Sequence, residues 1–103
     1  MYVSGDTVWY EEIAGLRDRF PIRTAIVFMG AARPPGVGPW NVTMTAAEAL
    51  EFARTFPEAC IIPLHFEGWR HFTESRSEIN AAFVEAGLNQ RLRWLSPGTA
   101  VDI

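Results

Sequence analysis

Few residues in this chain have the types and spacing to do chemistry. Asp6 stands in Ser4-Gly5-Asp6-Thr7, after a short apolar start, and His65 closes the apolar run Cys60-Ile-Ile-Pro-Leu64. A carboxylate and an imidazole brought to one place suit a divalent cation such as zinc or manganese. Each also has a plainer reading. An aspartate in a glycine turn can cap the following helix, and a histidine ending a strand can be a packed residue with one nitrogen satisfied. Asp6 and His65 alone fall short of even an open catalytic metal site. His71 reads as a further ligand, a substrate contact or a surface histidine. Arg33 reads as a clamp for an anionic substrate group or as an exposed arginine. No side chain is singled out as a catalytic acid, base or nucleophile. Cys60 and His65 lie an odd number of residues apart on one strand and face opposite sides, so they form no nucleophile–base pair.

Other chemistry is excluded by spacing. The segment Gly30 to Gly36 has no P-loop spacing and no lysine, and Gly36-Val-Gly38 continues into Pro-Trp rather than toward a third glycine. No serine sits between glycines in the manner of an α/β-hydrolase nucleophile.

Strands alternating with helices must position these residues. Tyr2-Val3-Ser4 reads as a strand end stopped by Gly5. Residues 9–20 read as a helix with Ile13, Leu16 and Phe20 on one face, ended by Pro21. Thr24 to Met29 is a continuous apolar run, as in a buried strand. Residues 30–40 are rich in Gly and Pro and form a loop, and a loop that long is more often functional than idle. Thr45-Ala-Ala-Glu48 and Ser75-Arg-Ser-Glu78 are capping boxes that open helices to about Phe56 and Ala86. Cys60 to Leu64 is a strand, with Pro63 marking an irregularity or an edge. Arg91 to Leu95 reads as a last alternating strand before Ser96-Pro-Gly98. The pattern is α/β with a largely parallel sheet. In such a sheet the carboxyl ends of the strands share one rim, where ligands bind. Asp6, Arg33 and His65 each follow a different strand, so topology alone brings them to that rim.

Composition narrows the class further. The 103 residues suffice for one domain, and 49% of them are hydrophobic, which excludes a disordered chain. The net charge of −3 excludes broad nucleic-acid affinity. A single cysteine fits a reducing compartment. Residues 1–9 lack a basic region followed by an apolar run, and no apolar run approaches the ~20 residues of a membrane span. The sequence predicts a cytoplasmic protein with no membrane or nucleic-acid partner.

Three segments, taken in order, resemble a known family: Ser4-Gly5-Asp6-Thr7, Asn41-Val-Thr-Met-Thr45 leading into a helix, and Ile62-Pro-Leu-His65-Phe-Glu-Gly-Trp69. They resemble the C-terminal half of metallo-β-lactamase-fold hydrolases, in particular the branch of ascorbate-phosphate lactonases. The resemblance covers essentially the whole chain. It implies an αββα sandwich built from two similar halves. It implies that Asp6 is the aspartate that bridges two metal ions, and that His65 is the last metal ligand. It places Asn41 and Thr43 at the mouth of the active site. The family's His-x-His-x-Asp-His loop has no counterpart here, since His65 and His71 are the only histidines.

The expectation is therefore a single partial domain over residues 1–103, the C-terminal half of such a fold, without the half that carries the main metal ligands. The expected activity is metal-dependent hydrolysis of a small molecule's ester, lactone or phosphoester bond by activated water. As an isolated half the chain is expected to be inactive, and to self-associate or pair with the other half. The alternatives are a non-catalytic association domain and a flavodoxin-like α/β domain whose rim binds an anion.

Overall fold

A computed structural model describes all residues, Met1–Ile103. Three parallel strands form the sheet: β1 (Tyr2–Val3), β2 (Thr24–Phe28) and β3 (Cys60–Leu64), in the order β1-β2-β3. Between and after them lie α1 (Glu11–Ala14), α2 (Ala46–Thr55) and α3 (Arg76–Glu85). The sequential strand order differs from the reversed order of a flavodoxin-like sheet.

Register sets which side chains meet. Tyr2 pairs with Ala25 and Ala25 with Ile61, while Val3 pairs with Ile26 and Ile26 with Ile62. The first row faces the helices. There Ala25, Val27, Met29 and Ile61 meet Ala49, Phe52, Ala53, Ile79 and Phe83 in one buried cluster. Phe52 anchors it, stacking on Tyr2 at 5.1 Å and meeting the tilted ring of Phe56 at 4.6 Å. The second row covers less. Val3 and Leu64 are exposed, Ile26 and Phe28 are half-buried, and Ile62 is fully covered.

The helices follow their local signals. Thr45 Oγ1 accepts the Glu48 amide at 3.1 Å, and Ser75 Oγ accepts the Glu78 amide at 3.3 Å, as a capping box requires. The reciprocal half at the first box is diverted. Glu48 Oε2 accepts the Trp9 amide at 3.0 Å, and Glu74 Oε2 accepts the Ala46 amide at 2.7 Å. The first box thus ties α2 to two distant segments.

Two expected elements are shorter than read. The helix over 9–20 becomes the single turn of α1 followed by a 3-10 stretch, Gly15–Asp18. It starts at Tyr10, which caps no amide, and it has a glycine at its centre; both weaken a helix. The last strand is reduced to one parallel bridge between Leu92 and Ile61, with the Arg93 amide donating to the Ile61 carbonyl at 2.8 Å. Arg91 is held in a 3-10 turn instead. Its Nη2 donates to the Phe56 and Ala59 carbonyls at 2.7 Å each, and its Nε donates to the Ala59 carbonyl at 2.8 Å. Burial lowers the pKa of this guanidinium, with Cys60 opposing the shift. Pro63 is accommodated because β3 lies at the sheet edge. No helix is long and apolar enough to cross a membrane.

Candidate metal centre at the carboxyl rim

All three strands leave the sheet through left-handed backbone. Gly5 (φ +62°) follows β1, Gly30 (+84°) and Ala31 (+47°) follow β2, and His65 (+54°) follows β3. For Gly5 and Gly30 this conformation costs nothing special. For His65 it is strained, and such strain clusters at functional sites. Gly30 is obligatory for a second reason. A Cβ there would lie 2.8 Å from Phe66 Cα and 2.8 Å from Phe72 Cδ1.

The loops beyond the strands are laced to one another. Thr43 Oγ1 donates to the Met29 carbonyl at 2.7 Å and accepts the Ala32 amide at 2.9 Å. The Thr73 amide donates to the Gly30 carbonyl at 2.8 Å, and Thr73 Oγ1 donates to the Ala31 carbonyl at 2.8 Å. The Arg33 amide donates to the His71 carbonyl at 2.8 Å. At β1, Ser4 Oγ accepts the Phe28 amide at 2.8 Å and so extends the pairing to the rim. The rim is therefore a rigid platform despite its glycines and prolines.

On this platform Asp6 and His65 meet. His65 Nδ1 lies 3.3 Å from Asp6 Oδ1. The pair is close but not aligned as a hydrogen bond, and Nδ1 is buried without a partner. An orphaned buried nitrogen is unusual and calls for an unseen partner. The imidazole ring is held between Phe28 at 5.2 Å and Phe72 at 5.1 Å. A lone pair fixed beside a carboxylate fits a divalent cation. No cluster of three or more His, Cys, Asp or Glu side chains exists in the chain, so the fit extends to part of a coordination shell.

The other candidates separate. Arg33 is on the surface, its Nε donating to Asn41 Oδ1 at 2.7 Å. These two therefore act together, with His71 nearby through the Arg33 amide. His71 stacks on Trp69 at 6.0 Å and contacts Phe72 at 4.8 Å. Thr43 is wholly buried and its hydroxyl is spent on the loop. Its expected place at the mouth of the site is corrected to that of an internal strut. Sequence reasoning missed the close packing at Gly30 and the hydrogen-bonding roles of Glu74 and Arg91. A Gly directly after an apolar strand signals the first, but nothing local marks the others, because their partners lie 28 to 35 residues away.

This architecture is the α/β fold found in metallo hydrolases. The chain superposes with a TM-score of 0.83 at 23% identity on the isothiocyanate hydrolase from Delia radicum gut bacteria, over 98% of this chain and 38% of that one. A possible metal-dependent hydrolase from Veillonella parvula gives 0.81 at 23% identity, over 94% and 37%. A metallo hydrolase from the hyperthermophilic archaeon Ignicoccus hospitalis gives 0.71 at 20% identity, over 97% and 40%. In sequence, the chain is 29% identical over 92 residues to the UPF0173 protein YddR of Bacillus subtilis (strain 168), covering 89% of this chain and 35% of that protein. No family profile matches the chain. The chain thus spans little more than a third of the length of these relatives. The likeness bears out the metallo-hydrolase fold but not the narrower lactonase branch.

Proposed function

We propose that this chain is the part of a metal-dependent hydrolase that supplies two metal ligands, Asp6 and His65. One observation carries the reading: His65 Nδ1 is buried, unpartnered and 3.3 Å from Asp6 Oδ1. The left-handed backbone at His65 and the metallo-hydrolase fold support it. A divalent cation, zinc or manganese, supplies Lewis acidity for cleavage of an ester, lactone or phosphoester bond. The chain's own contribution is to fix the two donors. Phe28 and Phe72 hold the imidazole plane, Gly5 sets the position of Asp6, and the laced loops exclude conformations that would part them.

The remaining ligands come from the part of the longer fold that this chain does not span. The same part covers the outer face of the sheet, where Val3, Ile26, Phe28 and Leu64 are incompletely buried. Exposed apolar strand surface of this kind seeks a partner. The chain alone is inactive on this reading, and it works in the cytoplasm on a small-molecule substrate.

The test is zinc competition against a chromophoric chelator. Weak binding is expected, abolished by Asp6→Asn and by His65→Ala. Binding unchanged in both variants, or tight binding with turnover by the chain alone, overturns the proposal. Light scattering on the same sample reports the outer face. Self-association indicates that a second copy takes the place of the longer fold, whereas a monodisperse monomer shows that the face needs no cover.

A further inference from the structure

We infer that Arg33, Arg70 and His71 form a binding cleft for the anionic group, carboxylate or phosphate, of a ligand whose flat apolar body lies on Trp69. The cleft encloses about 540 Å³ and is lined by Arg33, Pro35, Gly68, Trp69, Arg70 and His71. No carboxylate lines it, although the chain carries 12 acidic residues and a net charge of −3. The ion pairs made by arginine in the chain join Arg17 to Asp18 and Arg54 to Glu51. Neither Arg33 nor Arg70 is neutralised by any of them.

Arg33 is also pre-organised. Asn41 Oδ1 takes its Nε at 2.7 Å, and the His71 carbonyl takes its backbone amide at 2.8 Å. With Nε held, the two terminal nitrogens remain as a free fork, the geometry that matches an oxyanion. Trp69 is 67% exposed and lies nearly parallel to the His71 ring, at 22°. A large aromatic left in water beside unpaired cations is the mark of a recognition surface rather than of packing.

The cleft adjoins the metal centre. Phe72 lies between the two histidines, 5.1 Å from His65 and 4.8 Å from His71. A ligand anchored at Arg33 and Arg70 extends toward Asp6 and His65, so the substrate of the proposed hydrolase carries an anionic group set off from the bond that breaks. That last step rests on the proposed function; the binding itself does not.

The test therefore excludes metal. The 103-residue chain, in low salt with a chelator, is titrated with benzoate, phenyl phosphate and uncharged benzyl alcohol, while NMR follows the Trp69 indole and Arg33 Nε–H signals. Saturable shifts with both anions are expected, and none with the alcohol. The tighter anion identifies the ligand as carboxylate or phosphate. Affinity should fall about tenfold in Arg70→Gln and in Arg33→Gln, the loss of one charge-assisted contact, and stay unchanged in Arg54→Gln. Arg70 makes no hydrogen bond within the chain, so its variant folds and isolates the charge. No saturable binding by the wild-type chain, equal affinity for the alcohol, or equal affinity in the Arg70→Gln and Arg54→Gln variants overturns the inference. Zinc competition on Asp6→Asn judges the metal reading separately, since neither assay uses the other's ligand.

Discussion

The two ends of one parallel sheet are built to opposite specifications. At the amino ends of the strands, polar groups are satisfied. Arg91 gathers the Phe56 and Ala59 carbonyls where α2 ends, and the Cys60 amide donates to the Arg23 carbonyl at 2.9 Å. At the carboxyl ends, the backbone turns left-handed at each strand, and one buried ring nitrogen is left without a partner. Both rims are rigid, but only one leaves donor atoms unused. Unused donor atoms, and with them binding capacity, lie at the second, as expected when ligands bind at the carboxyl rim of an α/β sheet.

The sharpest way to break this contrast is at Gly30, where the binding rim depends on a single absent Cβ. Gly30→Ala forces a non-glycine residue to φ +84° and drives its Cβ against the Phe66 backbone. We expect a loss of about 3 kcal/mol, strain and overpacking together, measured by denaturant titration. A change below about 1 kcal/mol would show that the rim yields and is no rigid platform.

At the opposite rim, Arg91→Ala leaves the Ala59 carbonyl unpaired and the Phe56 carbonyl with the Ala59 amide as its one remaining donor. The expected cost is about 2 kcal/mol. Arg91→Lys should recover only part of it, because a point charge cannot reproduce the fork. Zinc and anion binding should survive both substitutions at temperatures where the chain stays folded. Loss of either would couple the rims and remove the contrast.

Thr45→Ala removes the cap of α2 and should cost about 1 kcal/mol. Glu74 still holds the Ala46 amide, so the helix start is retained and the midpoint moves without a change in cooperativity. An unmoved midpoint would show that Glu74 alone suffices.

Much of this was legible locally. The capping threonine and serine, the apolar runs of β2 and β3, and the glycine-stopped strand ends are short-range signals. The convergence of Asp6 and His65 followed from parallel topology without any contact being known. What escaped the sequence is long-range competition for hydrogen bonds. Glu48 has the right spacing to reach back to its own cap, yet its carboxylate is taken by the Trp9 amide. Arg91 alternates correctly for a strand, yet its side chain is claimed by the end of α2, and the strand shrinks to a bridge. Thr43 looks like a loop hydroxyl free for ligand, yet Met29 and Ala32 use it fully. In each case a polar side chain found a backbone partner that no window of sequence contains.

The smallest expected effect on stability discriminates most between a packed histidine and a ligand. His65→Asn removes the ring contacts to Phe28 and Phe72, a loss of about 1 kcal/mol. It also places at φ +54° a residue that tolerates left-handed backbone well, which returns a comparable amount. The two should nearly cancel, leaving the denaturation midpoint of the metal-free chain within about 0.5 kcal/mol of the wild type. Added zinc, however, stabilises only the chain whose Nδ1 is available, by mass action on the folded state. The expected record is two nearly coincident curves without zinc and a separation with it. If His65 were merely packed, zinc would shift neither protein, and the binding rim would then be no different in kind from the one Arg91 closes.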